Sequence, residues 1–492
     1  MGSYVLAIDQ GTTGSRAIII DQSGKLCAKV NQEYRQIFPK PGLVEHDPQD
    51  IWTSVLDVIN GAIKNASISV RDIVALGITN QRETTILWDK KSGKPVHNAI
   101  VWQDRRTAAF CEKLKAKGHE KKFIARTGLV LDPYFSGTKL RWLLDNVDGA
   151  RAQAKTGALA FGTVDTFLLW KLTAGKVHAT DVSNASRTLM MDLKKLEWDE
   201  ELCKILGIEM NVLPEIKPSI GVFGSTRSVP GLPDGIPISG IAGDQQAALF
   251  GQACFQKGEA KCTYGTGSFL LLNTGATPVR SYSGCLTTVA WQWKNKTTYA
   301  LEGSAFICGA AVQWLRDGLK IIKSSSEIEK LAKSVDDCGG VIFVPALTGL
   351  GAPHWDPEAR GSISGITRGS TSAHVARATL EGMAMQNVDL LLAMQKDLKT
   401  KLKVLKVDGG ASANNLLMQM QADFLGLKCV RPETIETTSM GAAFMAGLGV
   451  ELWSDLSEIE KIWKKEREFF PEKSAHFRKL QNQSWQQALA KL

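Results

Sequence analysis

A turn rich in glycine and hydroxyl side chains lies between the first two apolar runs of this 492-residue chain. Residues 9–16 read Asp-Gln-Gly-Thr-Thr-Gly-Ser-Arg and separate the apolar residues 4–8 from the apolar residues 17–20. Short aliphatic runs predict buried strands, so this segment predicts a tight hairpin. Backbone N–H groups and hydroxyls on such a turn suit phosphate oxygens, and Asp9 suits a metal ion that accompanies them. An ordinary glycine-rich turn is the alternative interpretation.

The pattern of this first turn returns in the second half of the chain. Residues 260–264 lead into Gly265-Thr266-Gly267-Ser268, and an aliphatic run follows. The repetition predicts a duplicated unit with one phosphate-facing hairpin in each domain. Farther along, the apolar residues 404–407 end in Asp408-Gly409-Gly410 just before an amphipathic helix. A strand, a glycine turn and a helix N-terminus in this order favour contact with a phosphate or a nucleotide.

Polar side chains also follow other predicted strands. Arg82 and Glu83 come shortly after a strand at residues 74–78, and Trp102 ends a strand at residues 99–102. Asp244 follows a strand at residues 238–242, where a helix begins. Open α/β sheets bind their ligands at the ends of such strands, so these groups are candidate site residues.

The length of the chain predicts two or more domains, because one hydrophobic core rarely extends over 492 residues. We place the boundary near residues 250–256, which divides the chain into domains 1–252 and 253–492. Asp47 and Pro48 predict a helix start. Residues 110–206 are mostly helical in pattern, and residues 456–492 are predicted as a last helical region that carries no chemistry.

Composition excludes several classes of protein. The net charge of +9 comes from scattered lysines and arginines, so we expect no nucleic-acid partner. The nine cysteines contain no CxxC pair, which argues against a disulfide framework and a zinc site and fits a reducing cytosol. Asp9 interrupts the N-terminal apolar run, so no signal peptide is expected, and no apolar stretch approaches the ~20 residues of a membrane span. The chain also lacks a P-loop and a dinucleotide-binding GxGxxG turn after its first strand.

Five of these motifs occur together in an order that resembles the FGGY carbohydrate kinases. The resemblance extends from residue 4 to about residue 453, and the motifs are residues 9–16, 80–83, 243–245, 265–268 and 408–414. It implies an α/β fold of two ribonuclease H-like, actin-like ATPase domains with an active site in the cleft between them. It also implies a cytoplasmic enzyme that forms a homodimer or a homotetramer.

The resemblance further implies that the γ-phosphoryl group of MgATP is transferred to a terminal hydroxyl of glycerol. Arg82 and Glu83 would grip the polyol hydroxyls, since an arginine donates and a glutamate accepts hydrogen bonds. Asp244 would be the general base, because the alcohol must lose its proton as the new P–O bond forms. The remaining acceptor-binding residues implied are Trp102, Tyr134 and Phe269 along the carbon backbone, and Gln245 on a hydroxyl.

The nucleotide would be held by both hairpins and the glycine turn. The implied nucleotide-binding residues are Thr12, Thr13, Gly14, Arg16 and Thr266 at the phosphates, and Gly309, Gln313, Gly410 and Asn414 around the rest of ADP or ATP. Asp9 would lie near Mg²⁺. Glycine at 309 and 410 fits this role, because a side chain would block close approach of the backbone to the nucleotide.

Regulation cannot be transferred from the family. Residues 228–236 contain neither the arginine of a fructose 1,6-bisphosphate loop nor a histidine for phosphorylation, and residues 470–480 differ from the segment that binds a sugar-transport regulator. Two alternatives to a glycerol-phosphorylating enzyme remain. One is a kinase of another polyol or sugar, such as xylulose or erythritol. The other is a non-catalytic, actin-like nucleotide-binding regulator, against which the presence of Asp9, Asp244 and the full acceptor set argues.

Overall fold

The computed structural model describes residues 2–356, 358–400 and 402–492. Its strands are β1 Tyr4–Gln10, β2 Gly14–Asp21, β3 Leu26–Glu33, β4 Glu45–His46, β5 Ile73–Asn80, β6 Ile86–Asp89, β7 Ala99–Ile100, β8 Leu159–Gly162, β9 Ala179–Asp181, β10 Met191–Asp192, β11 Glu197–Trp198, β12 Glu215–Lys217, β13 Ile220–Ser225, β14 Pro237–Gly243, β15 Ala260–Tyr264, β16 Ser268–Gly275, β17 Leu286–Trp293, β18 Lys296–Ala305, β19 Ile342–Val344, β20 Ser362–Ser364, β21 Val404–Asp408, β22 Lys428–Pro432 and β23 Lys465–Phe469.

The helices lie mainly between and around these strands. They are α1 Pro48–Ala66, α2 Ala108–Ala116, α3 Glu120–Thr127, α4 Ser136–Asn146, α5 Ala150–Lys155, α6 Val164–Leu172, α7 Val182–Ala185, α8 Glu200–Leu206, α9 Asp244–Gly251, α10 Gly309–Asp317, α11 Glu327–Ala332, α12 Ser372–Leu398, α13 Asn415–Leu425, α14 Thr437–Gly449, α15 Leu456–Ile462 and α16 Ala475–Leu489. Short 3₁₀ helices occur at Val70–Asp72, Met210–Val212 and Gly410–Ala413.

Two large sheets repeat one arrangement of strands. The first has the order β13-β14-β5-β1-β2-β3, and the second has the order β17-β18-β16-β15-β21-β22-β23. In the first sheet β1, β2 and β3 are antiparallel neighbours, whereas β1, β5 and β14 run parallel. Strands β15, β16 and β18 and strands β15, β21 and β22 repeat both relations in the second sheet. This duplication is the ribonuclease H-like pattern expected of two actin-like domains.

The two halves of the chain interlock through helices α9 and α14. Helix α14 comes from the second half, yet it packs on β1, β5 and β14 of the first sheet and on α9. The crossing is close, since a Cβ on Gly441 would lie 1.8 Å from the Ala247 carbonyl oxygen. Because a helix of the second half covers a face of the first sheet, the division at residues 252 and 253 stays a prediction.

Most of the predicted elements that bear on the site are present. Both glycine hairpins form, and Asp47 caps α1 as expected, its side chain accepting a hydrogen bond from the Gln49 N–H. The predicted strand at residues 99–102 is wrong in extent, because β7 covers only Ala99–Ile100. The wholly helical prediction for residues 456–492 is also wrong. It missed β23, a charged strand at the sheet edge that pairs with β22, where alternating charges are compatible with solvent.

No helix in the described part of the chain is long and apolar enough to cross a membrane.

Candidate active site

Three parallel strands bring the first set of site residues to one edge of the first sheet. Asp9 of β1 lies in register with Thr79 of β5, and Thr79 lies in register with Ala242 of β14. Each strand therefore delivers its polar end at the same level: the first hairpin after β1, Arg82 just after β5, and Asp244 after β14. The second sheet presents the second hairpin after β15 and the glycine turn after β21 in the same way.

The first hairpin is held from behind by a buried polar network. The Tyr34 hydroxyl lies 2.6 Å from the Gly11 carbonyl oxygen and 2.7 Å from that of Thr12. Gln10 and Gln81 each donate an amide N–H to the same hydroxyl, at 2.8 and 3.1 Å. The network fixes the backbone of the turn from one side while Thr13 stays exposed to solvent. This shape suits the predicted contact with phosphate.

Two residues predicted to bind phosphate also have structural partners. The Thr12 hydroxyl accepts a hydrogen bond from the Trp102 indole N–H at 2.9 Å, which links the hairpin to the predicted acceptor-binding residues. A Cβ on Gly14 would lie 2.7 Å from the Gln32 carbonyl oxygen. Gly14 is therefore required for the close approach of β3, independently of any ligand.

Asp9 is a buried carboxylate at the junction of the two halves. It accepts a hydrogen bond from the Ser439 hydroxyl of α14 at 3.0 Å, and its Oδ2 lies 3.6 Å from an Arg16 nitrogen. Burial raises the pKa of Asp9 to about 6, and the nearby carboxylates of Asp244 and Glu436 add to this rise. Arg16 also pairs with Glu436, which in turn contacts Lys29 at 2.9 Å. A cation beside Asp9 would favour its charged form.

Arg82 is almost wholly buried, and its guanidinium group contacts four acceptor side chains, three through hydrogen bonds and Asp244 through an ion pair. Its Nε lies 3.1 Å from Oδ1 of Asp244, while both of its Nη atoms contact the Glu302 carboxylate. The remaining contacts are Gln246 Oε1 at 3.3 Å and the Tyr134 hydroxyl at 3.4 Å. The long contact to Tyr134 is the weakest of these, so it is the one that a polyol hydroxyl would most easily replace.

Arg82 and Glu83 are adjacent in sequence but have different partners. Glu83 Oε1 accepts from Nε of Arg187 at 2.7 Å, and Glu83 Oε2 accepts no hydrogen bond from the described residues. The backbone of Glu83 has a φ of 63°, a left-handed conformation that is uncommon outside glycine. Burial raises the pKa of Glu83, and the cation of Arg187 opposes that rise. Glu83 therefore offers one free acceptor oxygen to a hydroxyl group.

Three aromatic rings from both halves of the chain form one cluster beside these charges. The ring of Trp102 lies 5.6 Å from that of Tyr134 and 6.4 Å from that of Phe269, both in edge-to-face geometry. Tyr134 is 8% exposed, and Trp102 and Phe269 are half-buried. Burial raises the pKa of Tyr134, so its phenol stays neutral. The cluster is an apolar wall suited to a short carbon chain.

Gln245 is oriented by a buried lysine. Lys261 Nζ donates to Oε1 of Gln245 and to the Thr263 hydroxyl at 2.8 Å. Because an ammonium group can only donate, it selects the amide orientation in which the oxygen of Gln245 faces Lys261. The NH₂ group of Gln245 is then left for another acceptor. Burial lowers the pKa of Lys261.

A cavity of about 450 Å³ lies between the second hairpin, α10, α12 and the glycine turn. All five residues that were predicted to hold the nucleotide from this side line it, namely Thr266, Gly309, Gln313, Gly410 and Asn414. A Cβ on Gly410 would have no neighbour within 4 Å, so this glycine borders open space. Gly309 differs, since its Cβ would lie 2.7 Å from the Gly265 carbonyl oxygen. Packing on the hairpin therefore already requires a glycine at 309, in addition to the predicted approach to the nucleotide.

Asn414 also has a structural role. Its Oδ1 accepts the Leu417 backbone N–H at 2.9 Å and so caps the N-terminus of α13. The first turn of this helix borders the cavity, where the positive end of the helix dipole favours a negatively charged group.

Three residues that contact the predicted site residues were missed from the sequence: Arg187, Lys261 and Glu302. Lys261 and Glu302 are each a charge between two uncharged small or apolar residues of a strand, with Ala260 and Cys262 beside the first and Leu301 and Gly303 beside the second. A charge in a buried strand must be paired, and this was the signal that could have identified them. Arg187 lies just after α7, and its local sequence carries no comparable signal.

The site thus combines an open cavity of about 450 Å³, two glycine hairpins, a buried carboxylate at their junction and a cluster of charged and aromatic side chains that includes Asp244. Asp244 is 29% exposed at its side chain, so it can meet a ligand. This arrangement can bring a phosphorylated nucleotide and a small hydroxylated acceptor together.

Comparison with known proteins identifies relatives over the whole chain. Residues 4–251 match the N-terminal domain of the FGGY family of carbohydrate kinases, and residues 260–450 match its C-terminal domain. The glycerol kinase of Bdellovibrio bacteriovorus is 61% identical over 100% of both chains. A crystal structure of the glycerol kinase of Plasmodium falciparum with ADP superposes with a TM-score of 0.93 at 39% identity, covering 100% of this chain and 98% of that one. Ligand-bound xylulose kinase of Lactobacillus acidophilus gives a TM-score of 0.88 at 25% identity, with coverages of 99% and 98%.

Proposed function

Because the chain belongs to the FGGY family of carbohydrate kinases, we propose that it transfers the γ-phosphoryl group of MgATP to a terminal hydroxyl of glycerol, giving sn-glycerol 3-phosphate. The observation that carries the proposal is the placement of Asp244. Its carboxylate lies 3.1 Å from Arg82 Nε at the edge of the acceptor pocket, while its exposed part can meet a ligand. The high identity to glycerol kinases over the full chain supports glycerol as the acceptor.

The acceptor pocket suits a small polyol. Arg82, Glu83 and the Gln245 amide supply donors and acceptors for adjacent hydroxyl groups. Trp102 and Phe269, with Tyr134, cover the carbon atoms and limit the length of the chain that fits. A pocket that pairs each hydroxyl discriminates strongly against acceptors that lack one, because its buried polar groups would then be left unpaired.

Asp244 acts as the general base in this proposal. Its carboxylate removes the proton of the terminal hydroxyl while the oxygen forms a bond to the γ-phosphorus. The bond between the γ-phosphorus and the β–γ bridging oxygen breaks, and ADP leaves with the electron pair. A positioned base contributes about 10²–10⁴-fold to the rate. Positioning and charge stabilisation of the loose phosphoryl group supply most of the remainder, and closure of the two domains excludes water as a competing acceptor.

The nucleotide would lie with its phosphates between the hairpins and its remainder in the cavity beside Gly410. In this proposal Thr12, Thr13, Arg16 and Thr266 bind the phosphates. Asp9 would face the Mg²⁺ of MgATP, which neutralises charge on the β- and γ-phosphates. No cluster of three or more metal-ligating side chains occurs among the described residues. A single carboxylate fits Mg²⁺, which takes most of its ligands from phosphate and water.

The test is kinase activity of the purified chain with MgATP and a panel of glycerol, erythritol, xylulose and gluconate, followed by ADP release. We expect glycerol to give the highest kcat/KM. Turnover of xylulose without turnover of glycerol would replace the acceptor, and binding of ATP without any turnover would favour a nucleotide-binding regulator.

A substitution at Asp244 tests the assigned base. Asp244→Asn keeps an oxygen for Arg82 but cannot take up a proton, so we expect glycerol binding within a few fold of the wild type and a kcat lower by about 10²-fold or more. Asp148→Asn, at an exposed carboxylate, is the matched control. A kcat that is unchanged in Asp244→Asn removes Asp244 as the base.

A further inference from the structure

Five side chains of alternating charge form one continuous chain of ion pairs behind the acceptor pocket. It runs from Asp244 to Arg82 at 3.1 Å, from Arg82 Nη2 to Glu302 at 3.1 Å, from Glu302 to Arg187 at 2.9 Å and from Arg187 to Glu83 at 2.7 Å. Glu302 is the central member of this chain, because it is the carboxylate that contacts both cations, Arg82 and Arg187. It comes from β18 of the second sheet, whereas the other four belong to the first half.

Glu302 has the environment of a fixed negative charge. The side chain of Glu302 is 1% exposed, that of Arg82 is 2% exposed and that of Arg187 is 0% exposed. Burial alone would raise the pKa of Glu302, but the guanidinium groups of Arg187 and Arg82 hold it below its ordinary value. Without this carboxylate two buried cations would face each other, an arrangement that is strongly unfavourable. Arg187 already has one buried nitrogen, Nη1, without a hydrogen-bond partner among the described residues.

The hydrogen bonds of Glu302 fix the orientation of both guanidinium groups. Both Nη atoms of Arg82 bind the Glu302 carboxylate, a two-pronged contact that fixes the plane of the guanidinium group. With that plane fixed, Nε of Arg82 is held 3.1 Å from Oδ1 of Asp244 as an ion pair. On the other side, Glu302 holds Nη2 of Arg187, whose Nε holds Oε1 of Glu83.

We propose that Glu302 is a positioning residue that orients Arg82, Asp244 and Glu83 for the acceptor, directly through Arg82 and indirectly through Arg187. The inference rests on the proposed function of the pocket as a polyol site. It adds to that function that a residue of the second sheet assembles the acceptor site. Correct packing of the two halves is then a condition for acceptor recognition.

Glu302→Gln tests the proposal, because it removes the negative charge of this side chain and keeps its shape. In Glu302→Gln we expect the KM for glycerol to rise about tenfold or more and kcat to fall, since misplaced reacting groups cost up to about 10²-fold. The KM for MgATP and the Kd for ADP should stay within twofold, which a general loss of structure would not allow. Glu302→Asp, which restores the charge on a shorter side chain, should recover part of the glycerol KM.

Glu201→Gln is the matched control for the substitution. Glu201 also accepts from two cations, Lys122 and Arg126, but it is 45% exposed on α8. The KM values and the kcat of Glu201→Gln should match those of the wild type. An unchanged glycerol KM in Glu302→Gln, or an equal rise of the KM for MgATP, overturns the proposal. Should Glu302→Gln fail to fold, Arg187→Lys interrupts the same chain between Glu302 and Glu83, and the same selective rise of the glycerol KM is expected.

Crystal structures of the wild type and of Glu302→Gln without substrates separate this proposal from the proposed function. We expect Arg82 Nε to move out of hydrogen-bond distance of Asp244 in the variant. An unmoved Arg82 overturns the positioning role even if the protein has no kinase activity. A displaced Arg82 supports the role, whichever acceptor the wild type uses.

Discussion

His46 behind the first hairpin should make the stability of this protein depend on pH between 7 and 4. The imidazole is fully buried; its Nε2 lies 2.8 Å from Gln36 Oε1, and its Nδ1 lies 3.4 Å from the amide nitrogen of Gln81. Gln81 can only donate through this nitrogen, so Nδ1 is the acceptor and the ring is neutral. A second proton on Nδ1 would meet a donor. Burial lowers the pKa of His46 to about 4 from its ordinary 6.5.

The sign of the effect follows from proton binding. Between these two pKa values the unfolded chain binds a proton and the folded chain does not, so stability falls as pH falls. The shift is worth about 3 kcal/mol in full, of which about 1 kcal/mol is lost between pH 7 and pH 5.5. In His46→Gln, which cannot titrate, this part of the loss should disappear.

The free energy of unfolding in urea, followed by tryptophan fluorescence at pH 7 and pH 5.5, measures the difference. His178 is the matched control, because burial also lowers its pKa to about 4. Its ring packs between Trp88 and Trp170 and makes no hydrogen bond with the described residues of the hairpin. His178→Gln should show the same relief of acid sensitivity as His46→Gln. Only His46→Gln should change the KM for MgATP, because only His46 contacts the network that supports the hairpin. Equal loss of stability in His46→Gln and the wild type over this interval would falsify the reasoning, since His46 would then be protonated in the folded state.

Four further substitutions separate packing from ligand contact. Gly410→Val should raise the KM for MgATP without lowering the urea midpoint, because its side chain enters open space in the cavity. Gly309→Ala should instead lower the urea midpoint, because its Cβ would lie 2.7 Å from the Gly265 carbonyl oxygen. Equal effects of the two substitutions on the urea midpoint would contradict this assignment. Lys261→Met should free the Gln245 amide and raise the glycerol KM several-fold at an unchanged KM for MgATP, which steady-state kinetics would measure. Gly441→Ala should destabilise the protein by about 1–3 kcal/mol or prevent folding, since it forces α9 and α14 apart; a urea midpoint like that of the wild type would refute the close crossing.

Several elements of the site followed from short-range sequence signals. The hairpin after Asp9 and the turn at Gly409 and Gly410 are local, because strand periodicity and turn glycines act over a few residues. The position of Asp244 at a strand end preceding a helix could be recognised for the same reason. The role of Gly309 at the nucleotide stays a prediction, and its packing role was missed, since the contact with Gly265 joins residues that are far apart in sequence.

The sequence by itself therefore determined which chemical groups stand at strand ends, and a repeated hairpin was enough to indicate a duplicated fold. Only the tertiary structure decided how those groups are held. Arg82 and Glu302 are separated by 220 residues, and Arg187 and Glu83 by 104, yet they form one buried chain of charges. No local pattern encodes such a pairing, because its free energy arises only when both partners lose water together. Sequence could name Arg82 and Glu83 as a pair, whereas folding gave each of them a different partner.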